Sequence, residues 1–190
     1  TTPVQPAQVP SNEFHVGRMK SGTLIHYKPD SSIFSVKSFP PSMLVEWAQM
    51  QAYLNPGLTL TVNIKGKQKS FFSKGGPKDY IAKQLATLKA ESEADLFEFS
   101  NELATIAVAF SNADGFLLRG FTNGLTNSQG GKHVDSVAAA LFKAIQPYKG
   151  AKQEFSNNDF RDGLLGIVNA KLHKASFSSQ DKAKLTDDRD

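Results

Sequence analysis

LATIAVAFSNADGFLLRGFT, residues Leu103 to Thr122, carries the reading of the fold. Leu103 to Phe110 is a run of β-rich apolar residues of strand length. Phe116 to Thr122 is a second such run. Asn112-Ala113-Asp114-Gly115 between them has hairpin-turn chemistry, so the two runs are expected to pair as neighbours. Working outward, Leu96 to Phe99 is a third strand just upstream. Further upstream, Leu58 to Lys65 (LTLTVNIK) alternates strictly and reads as a strand. Gly66-Lys67 is then a short turn, and Gln68 to Ser73 the hairpin partner.

Helical spacing fills the gaps. Met43, Leu44, Trp47, Met50 and Leu54 follow a candidate N-cap at Ser42 and stop at Asn55-Pro56-Gly57. Pro77 opens a second helix with Tyr80, Ile81, Leu85 and Leu88 on one face. A third runs from about His133 to Tyr148 after Gly130-Gly131. Ser156 caps a short helix over Asp159 to Leu164, and Leu165 to Leu172 is the last strand. Near the start, Gly22 to Lys28 reads as a strand ended by Pro29-Asp30. The Pro- and Gln-rich first dozen residues read as a linker, and the charged tail from Thr186 as the stub of a connection. Mixed strands and helices with neighbour pairing predict an α+β domain, its helices on one face of a mostly antiparallel sheet.

Composition sets bounds. The chain has 190 residues, 39% hydrophobic and 21% charged, which suits one domain with a real core. There is no cysteine, so neither a disulfide framework nor a thiolate metal site is possible. No apolar run approaches the roughly 20 residues of a membrane helix, and no signal-peptide layout opens the chain. A net charge of +4 permits contact with nucleic acid and equally a solvated surface.

The residues show no self-contained active site. Neither G-x-x-x-x-G-K-[ST] nor G-x-G-x-x-G occurs. His15, His26, His133 and His173 are scattered, with no metal-binding pair. The carboxylate pairs Glu91 with Glu93 and Asp187 with Asp188 lie in charge-rich stretches and read as solvation.

Four segments in order resemble the ATPase half of type IIA DNA topoisomerases: gyrase B, topoisomerase IV B and their eukaryotic and viral relatives. Gly22-Thr23, Tyr27, Pro29-Asp30 and Phe34 are similar to that family's GT-x-(V/I)-x-F-x-PD-x-x-x-F. Ala52-Tyr53-Leu54-Asn55-Pro56-Gly57, then Phe71 to Gly76 and Tyr80, resemble A-(F/Y)-LN-x-G and F-x-Y-x-GG. Phe121-Thr122-Asn123-Gly124 with Gly130 to Asp135 resembles F-x-N-x-I-x-T-x-x-GG-x-H-(V/L). Asp162-Gly163-Leu164, Ile167 to Leu172, Phe177 and Ser179 to Leu185 resemble the closing stretch, which ends F-x-x-QTK-x-KL.

The resemblance implies a transducer domain over residues 22–185. Residues 1–21 would be a linker or the end of a preceding ATPase domain, and 186–190 the stub of a connection. It implies an α+β fold with a left-handed βαβ crossover, like that of a ribosomal protein and of other GHKL ATPases. It also implies that Gln180 and Lys182 contact the γ-phosphate of ATP, Lys182 as the catalytic residue. Asp181 stands where the family has Thr. ATP and Mg²⁺ would be bound mainly by an upstream GHKL domain. The implied partners are double-stranded DNA, that upstream domain, a downstream cleavage domain or partner subunit, and a second copy of the parent protein. Lys132 and Arg119 are the candidate DNA contacts. The implied location is the cytoplasm and nucleoid, or the nucleus, without secretion and without a membrane. A stand-alone basic nucleic-acid-binding module of this fold is the alternative. A transducer of another GHKL ATPase, such as a mismatch-repair protein, is a third reading.

Overall fold

The computed structural model describes residues 25, 27–35, 38–148 and 156–187. The chain divides into two compact units, Thr1–Pro40 and Pro41–Asp190. In the first, Asp30 makes the expected turn. Its carboxylate accepts from the Ser32 N–H (2.8 Å) and hydroxyl (2.7 Å), and its carbonyl accepts from Ile33 and Phe34. The expected strand Gly22–Lys28 lies largely outside the described residues. Ile25, Tyr27 and Lys28 stand in no strand.

The second unit opens with helix α1 (Pro41–Leu54). Pro41, with a fixed φ and no N–H to leave unbonded, takes the first helical position. Ser42 therefore falls inside the first turn and is not the cap. Strands β1 (Leu60–Ile64) and β2 (Lys67–Phe71) pair as the expected hairpin. Ile64 pairs with Lys67, so the turn is Lys65-Gly66, one residue earlier than expected; both have positive φ, which this two-residue turn requires. The hairpin forms a two-stranded sheet of its own, and Phe71 packs against Ala48 and Ala52 of α1. Helix α2 (Pro77–Leu88) follows, with Pro77 in its first turn as read.

The main sheet departs from the expected neighbour pairing. Its strands are β3 (Phe97–Ser100), β4 (Ala104–Phe110), β5 (Leu117–Thr122), β6 (Leu125–Asn127) and β7 (Leu164–Ala170). They lie in the order β3-β4-β7-β5-β6. Strand β7 separates β4 from β5, so Asn112 to Gly115 does not close a hairpin. Strand β7 runs antiparallel to β4 and parallel to β5. The cause is visible in β7, LLGIVNA, where every residue is buried. A strand with two apolar faces and no polar alternation belongs at the centre of a sheet.

Between β5 and β7 the chain forms helix α3 (Lys132–Ile145), a 3-10 turn (Gln146–Tyr148) and helix α4 (Asn157–Arg161). Ser156 caps α4 as expected: its hydroxyl accepts from the Asp159 N–H, and Asp159 returns the bond to the Ser156 N–H.

The α+β class is as read, but the sheet is covered on both faces rather than one. Ala107, Ala109, Phe121, Leu165 and Ile167 pack with Leu54 of α1 and with Tyr80 and Ile81 of α2. Their alternate neighbours Val108, Leu118, Leu164 and Val168 pack with Val134 and Ala138 of α3 and Phe160 of α4. The small alanines of β4 face α1 and α2, while Ile106, Val108 and Phe110 face the other side. Nor is β7 the last strand. Strands β8 (Ser176–Phe177) and β9 (Leu185–Asp187) pair after it, so Thr186 lies in a strand rather than a tail.

Candidate functional site

The segment from Ser178 to Lys184 links β8 to β9, and Gln180, Asp181 and Lys182 sit at its tip. It is closed at its base by the Ser178 N–H donating to the Lys184 carbonyl (3.0 Å). Inside, the Lys182 N–H donates to Ser179 O (3.0 Å), and Lys182 adopts φ of +57°. A lysine holds that left-handed conformation only when its surroundings impose it.

Those surroundings come from the edge strand β6 of the main sheet and the residues that lead into α3. The Asn127 side-chain amide donates to the Lys182 carbonyl (2.8 Å). The Gln129 N–H donates to Ala183 O (2.9 Å), and the Leu185 N–H to Gly130 O (3.2 Å). Ala183 and Leu185 are buried. Gly131, the residue that caps α3, lies directly on Leu185: a Cβ there would stand 2.4 Å from the Leu185 carbonyl oxygen. Loop and helix start are thus one packed unit, joined by main-chain bonds.

The expected site residues fare differently. Gln180 and Lys182 are exposed at the loop tip, and the Lys182 ammonium lies 5.7 Å over the Phe177 ring. Such a contact holds an exposed lysine by only about 0.5–1 kcal/mol, so an anion can compete for it. Asp181 turns one carboxylate oxygen into its own loop, accepting from the Ser179 hydroxyl and from the Ala183 N–H. These bonds, the Ser179 hydroxyl foremost, hold its carboxyl below the usual carboxylate range. The Asp181 carboxylate is therefore a brace of the turn.

Lys132 and Arg119 do not share a face. Lys132 is exposed in the first turn of α3. Arg119 is half-buried on the side of β5 that faces α1 and α2, 5.7 Å from the Phe121 ring centre and close enough to the Tyr80 phenol to act on its charge. It lines a cavity of about 410 Å³ with Trp47, Met50, Tyr53 and Tyr80. Burial pushes the Tyr80 phenol up, against the pull of Arg119. Arg119 is a core-edge cation, not a displayed one.

Sequence reasoning missed Asn127. It ends β6, a strand not anticipated, although Asn123-Gly124 is a strong hairpin signal and forms the two-residue turn between β5 and β6. Among the described residues, no group of three or more His, Asp or Glu could hold a metal. The loop tip displays an exposed ammonium at Lys182 and an exposed amide at Gln180, both of which can donate hydrogen bonds to anionic oxygens.

Residues 64–189 match the family model for DNA gyrase B. The gyrase B protein of Campylobacter jejuni is 30% identical over 177 residues, which cover 87% of this chain and 23% of that protein. The topoisomerase 4 B protein of Mycoplasma capricolum is 29% identical over 180 residues, 87% of this chain and 28% of that one. The chain thus spans about a quarter of the length of these relatives. Among solved structures, the gyrase B protein from Myxococcus xanthus superposes with a TM-score of 0.69 at 23% identity, covering 83% of this chain and 53% of that one. The ATPase region of Saccharomyces cerevisiae topoisomerase II gives 0.60 at 20% identity, covering 84% and 40%. At that identity the likeness speaks for the fold.

Proposed function

Because this chain belongs to the DNA gyrase B family, we propose that it is the energy-coupling segment of an ATP-dependent type II DNA topoisomerase, with Gln180 and Lys182 as its contacts to the γ-phosphate. One observation supports this reading above the others. An exposed lysine stands on a loop latched by buried residues to the start of α3 and to the main sheet. A cation on such a mount can do two things. It can neutralise charge that develops on a transferred phosphoryl group. It can also report whether that group is present, because losing the ion pair changes the preferred position of everything the loop is packed against. Gln180 adds neutral donors beside it. ATP and Mg²⁺ would be held mainly outside this chain, by an upstream GHKL domain.

The transducer reading of residues 22–185, with 1–21 and 186–190 as connections, is part of this proposal. So are the cleavage domain or partner subunit, the second copy of the parent, transported double-stranded DNA, and a location where DNA is. Lys132, exposed beside the loop's anchor, is the better placed of the two candidate DNA contacts.

The test is Lys182→Ala in the full-length protein that carries this chain. Nucleotide affinity should hold within a few-fold. Steady-state hydrolysis should fall about a hundredfold, the scale of one charge-stabilising donor removed from a transition state. Strand passage should fall in parallel. Unchanged turnover would remove Lys182 from the chemistry.

A further inference from the structure

The loop's lysine is oriented by a residue that touches no ligand. Asn127 is 3% exposed, and both ends of its amide are used. The nitrogen donates to the Lys182 carbonyl at 2.8 Å, and the oxygen accepts from the Thr122 hydroxyl at 2.7 Å. The orientation of this amide follows from chemistry alone. Lys182 offers a carbonyl, which only the nitrogen can serve, so the oxygen must face Thr122 and the Thr122 hydroxyl must be the donor. Thr122 is itself 1% exposed and is the last residue of β5, paired to β7. The chain Thr122–Asn127–Lys182 thus runs from the end of β5 to the loop tip through buried, hydrogen-bonded side chains. It ends on the one residue of the loop whose backbone is left-handed, φ +57°.

We propose that Asn127 is a positioning residue for Lys182. It clamps the Lys182 carbonyl, and so holds the positive φ that sets the direction in which the ammonium leaves the loop. The Gln129-to-Ala183 and Leu185-to-Gly130 bonds fix the loop's descending arm but do not reach Lys182, and the Lys182 N–H bond to Ser179 lies within the turn, so it is the Asn127 bond that ties Lys182 to the main sheet. Without Asn127, the Lys182 carbonyl would lose its donor and the residue could relax to negative φ, swinging the side chain away while the loop's base stayed closed. Thr122 acts one step further back, by fixing which way the amide lies. This inference rests on the reading of Lys182 as a γ-phosphate contact.

The test uses the full-length protein that carries this chain, with Asn127→Ala, Thr122→Val, Lys182→Ala and the Asn127→Ala/Lys182→Ala pair. Thr122→Val keeps the side-chain shape and serves if Asn127→Ala fails to fold. Three quantities are measured: kcat and KM for ATP hydrolysis, nucleotide affinity, and amide hydrogen exchange over residues 178–185. Asn127→Ala should lower kcat by on the order of 10- to 100-fold, the cost of misplacing a reacting group by about an ångström. Affinity should be unchanged, and exchange should rise at Lys182 and Ala183. Thr122→Val should move the same quantities in the same direction by less. The pair should lose no more than Lys182→Ala alone, because Asn127 acts only through Lys182.

Multiplying effects in the pair would overturn the proposal, since Asn127 would then act by another route. So would wild-type kcat in Asn127→Ala with a crippled Lys182→Ala, which leaves the reading of Lys182 standing. Wild-type kcat in Lys182→Ala itself would overturn that reading and this inference together.

Discussion

At Asp181 the loop carries a charge where the motif resemblance leads one to expect the hydroxyl of Thr. Its carboxylate is engaged by the Ser179 hydroxyl and the Ala183 N–H, and its carboxyl is held below the usual value of 3.8. The folded loop therefore prefers the ionised form. Its bracing is fully present above the ordinary carboxylate pKa and is lost as the pH falls through the lowered folded value. The Ala183 amide resonance should follow that transition, with a midpoint under 3.8. A midpoint at or above the ordinary value would show that the carboxylate is not held. Thr at this position could still accept from Ala183 through its hydroxyl, and it would remove a negative charge near the proposed phosphate. Asp181→Thr should leave ATP turnover unchanged or slightly raised, measured beside Lys182→Ala. A fall of tenfold or more would make Asp181 a required brace in this chain.

At the scale of elements, the contact between the start of α3 and β9 decides how loop position can reach the rest of the molecule. Gly131 has φ of +141°, and a Cβ there would lie 2.4 Å and 2.7 Å from the main-chain O and N of Leu185. Backbone cannot yield as a side-chain tip can, so Gly131→Ala must part the helix from the strand. The expected cost is about 1–3 kcal/mol by chemical denaturation, the range for overpacking a filled interior. Faster amide exchange at Leu185 should accompany it, because its N–H bonds to Gly130. Wild-type stability and exchange together would mean that the contact closes without strain. The hairpin β5–β6 is the other half of this junction, since its last residue is Asn127.

For the whole molecule, the second unit has apolar packing on both faces of its sheet but, among the described residues, no metal-binding cluster. The isolated chain should unfold cooperatively yet turn over no ATP above a Lys182→Ala control. Measurable turnover would place a nucleotide pocket within it. Contact with DNA should be weak, without sequence preference, and steeply weaker as salt rises, as phosphate-only binding requires. Lys132→Ala should reduce it more than Arg119→Ala, because Arg119 is half-buried against Tyr80. Salt-independent binding in a fluorescence titration would exclude a phosphate-only contact.

Local chemistry sufficed for much of this chain. The turn at Asp30, the hairpin β1–β2, the starts of α2 and α4, and the helical span of α3 all follow from spacing, proline position and capping. The motif order from Gly22 to Leu185 was enough to place Gln180 and Lys182 in a candidate loop. Pairing across the main sheet was not local. Asn112 to Gly115 has the chemistry of a hairpin turn, yet β7, more than forty residues on, takes the place beside β4, because only the centre of the sheet buries both faces of LLGIVNA. That same insertion divides the helices between two faces. Arg119 shares the reading of any basic residue until the fold sets it on the inner side of β5, against Tyr80. Asn127 and Lys182 are 55 residues apart, and their bond exists only because β6 and the loop meet at the start of α3. Spacing along the chain carries helices, turns and motifs. Which strand lies beside which is decided by the burial of both faces at once, and that is a property of the assembled sheet.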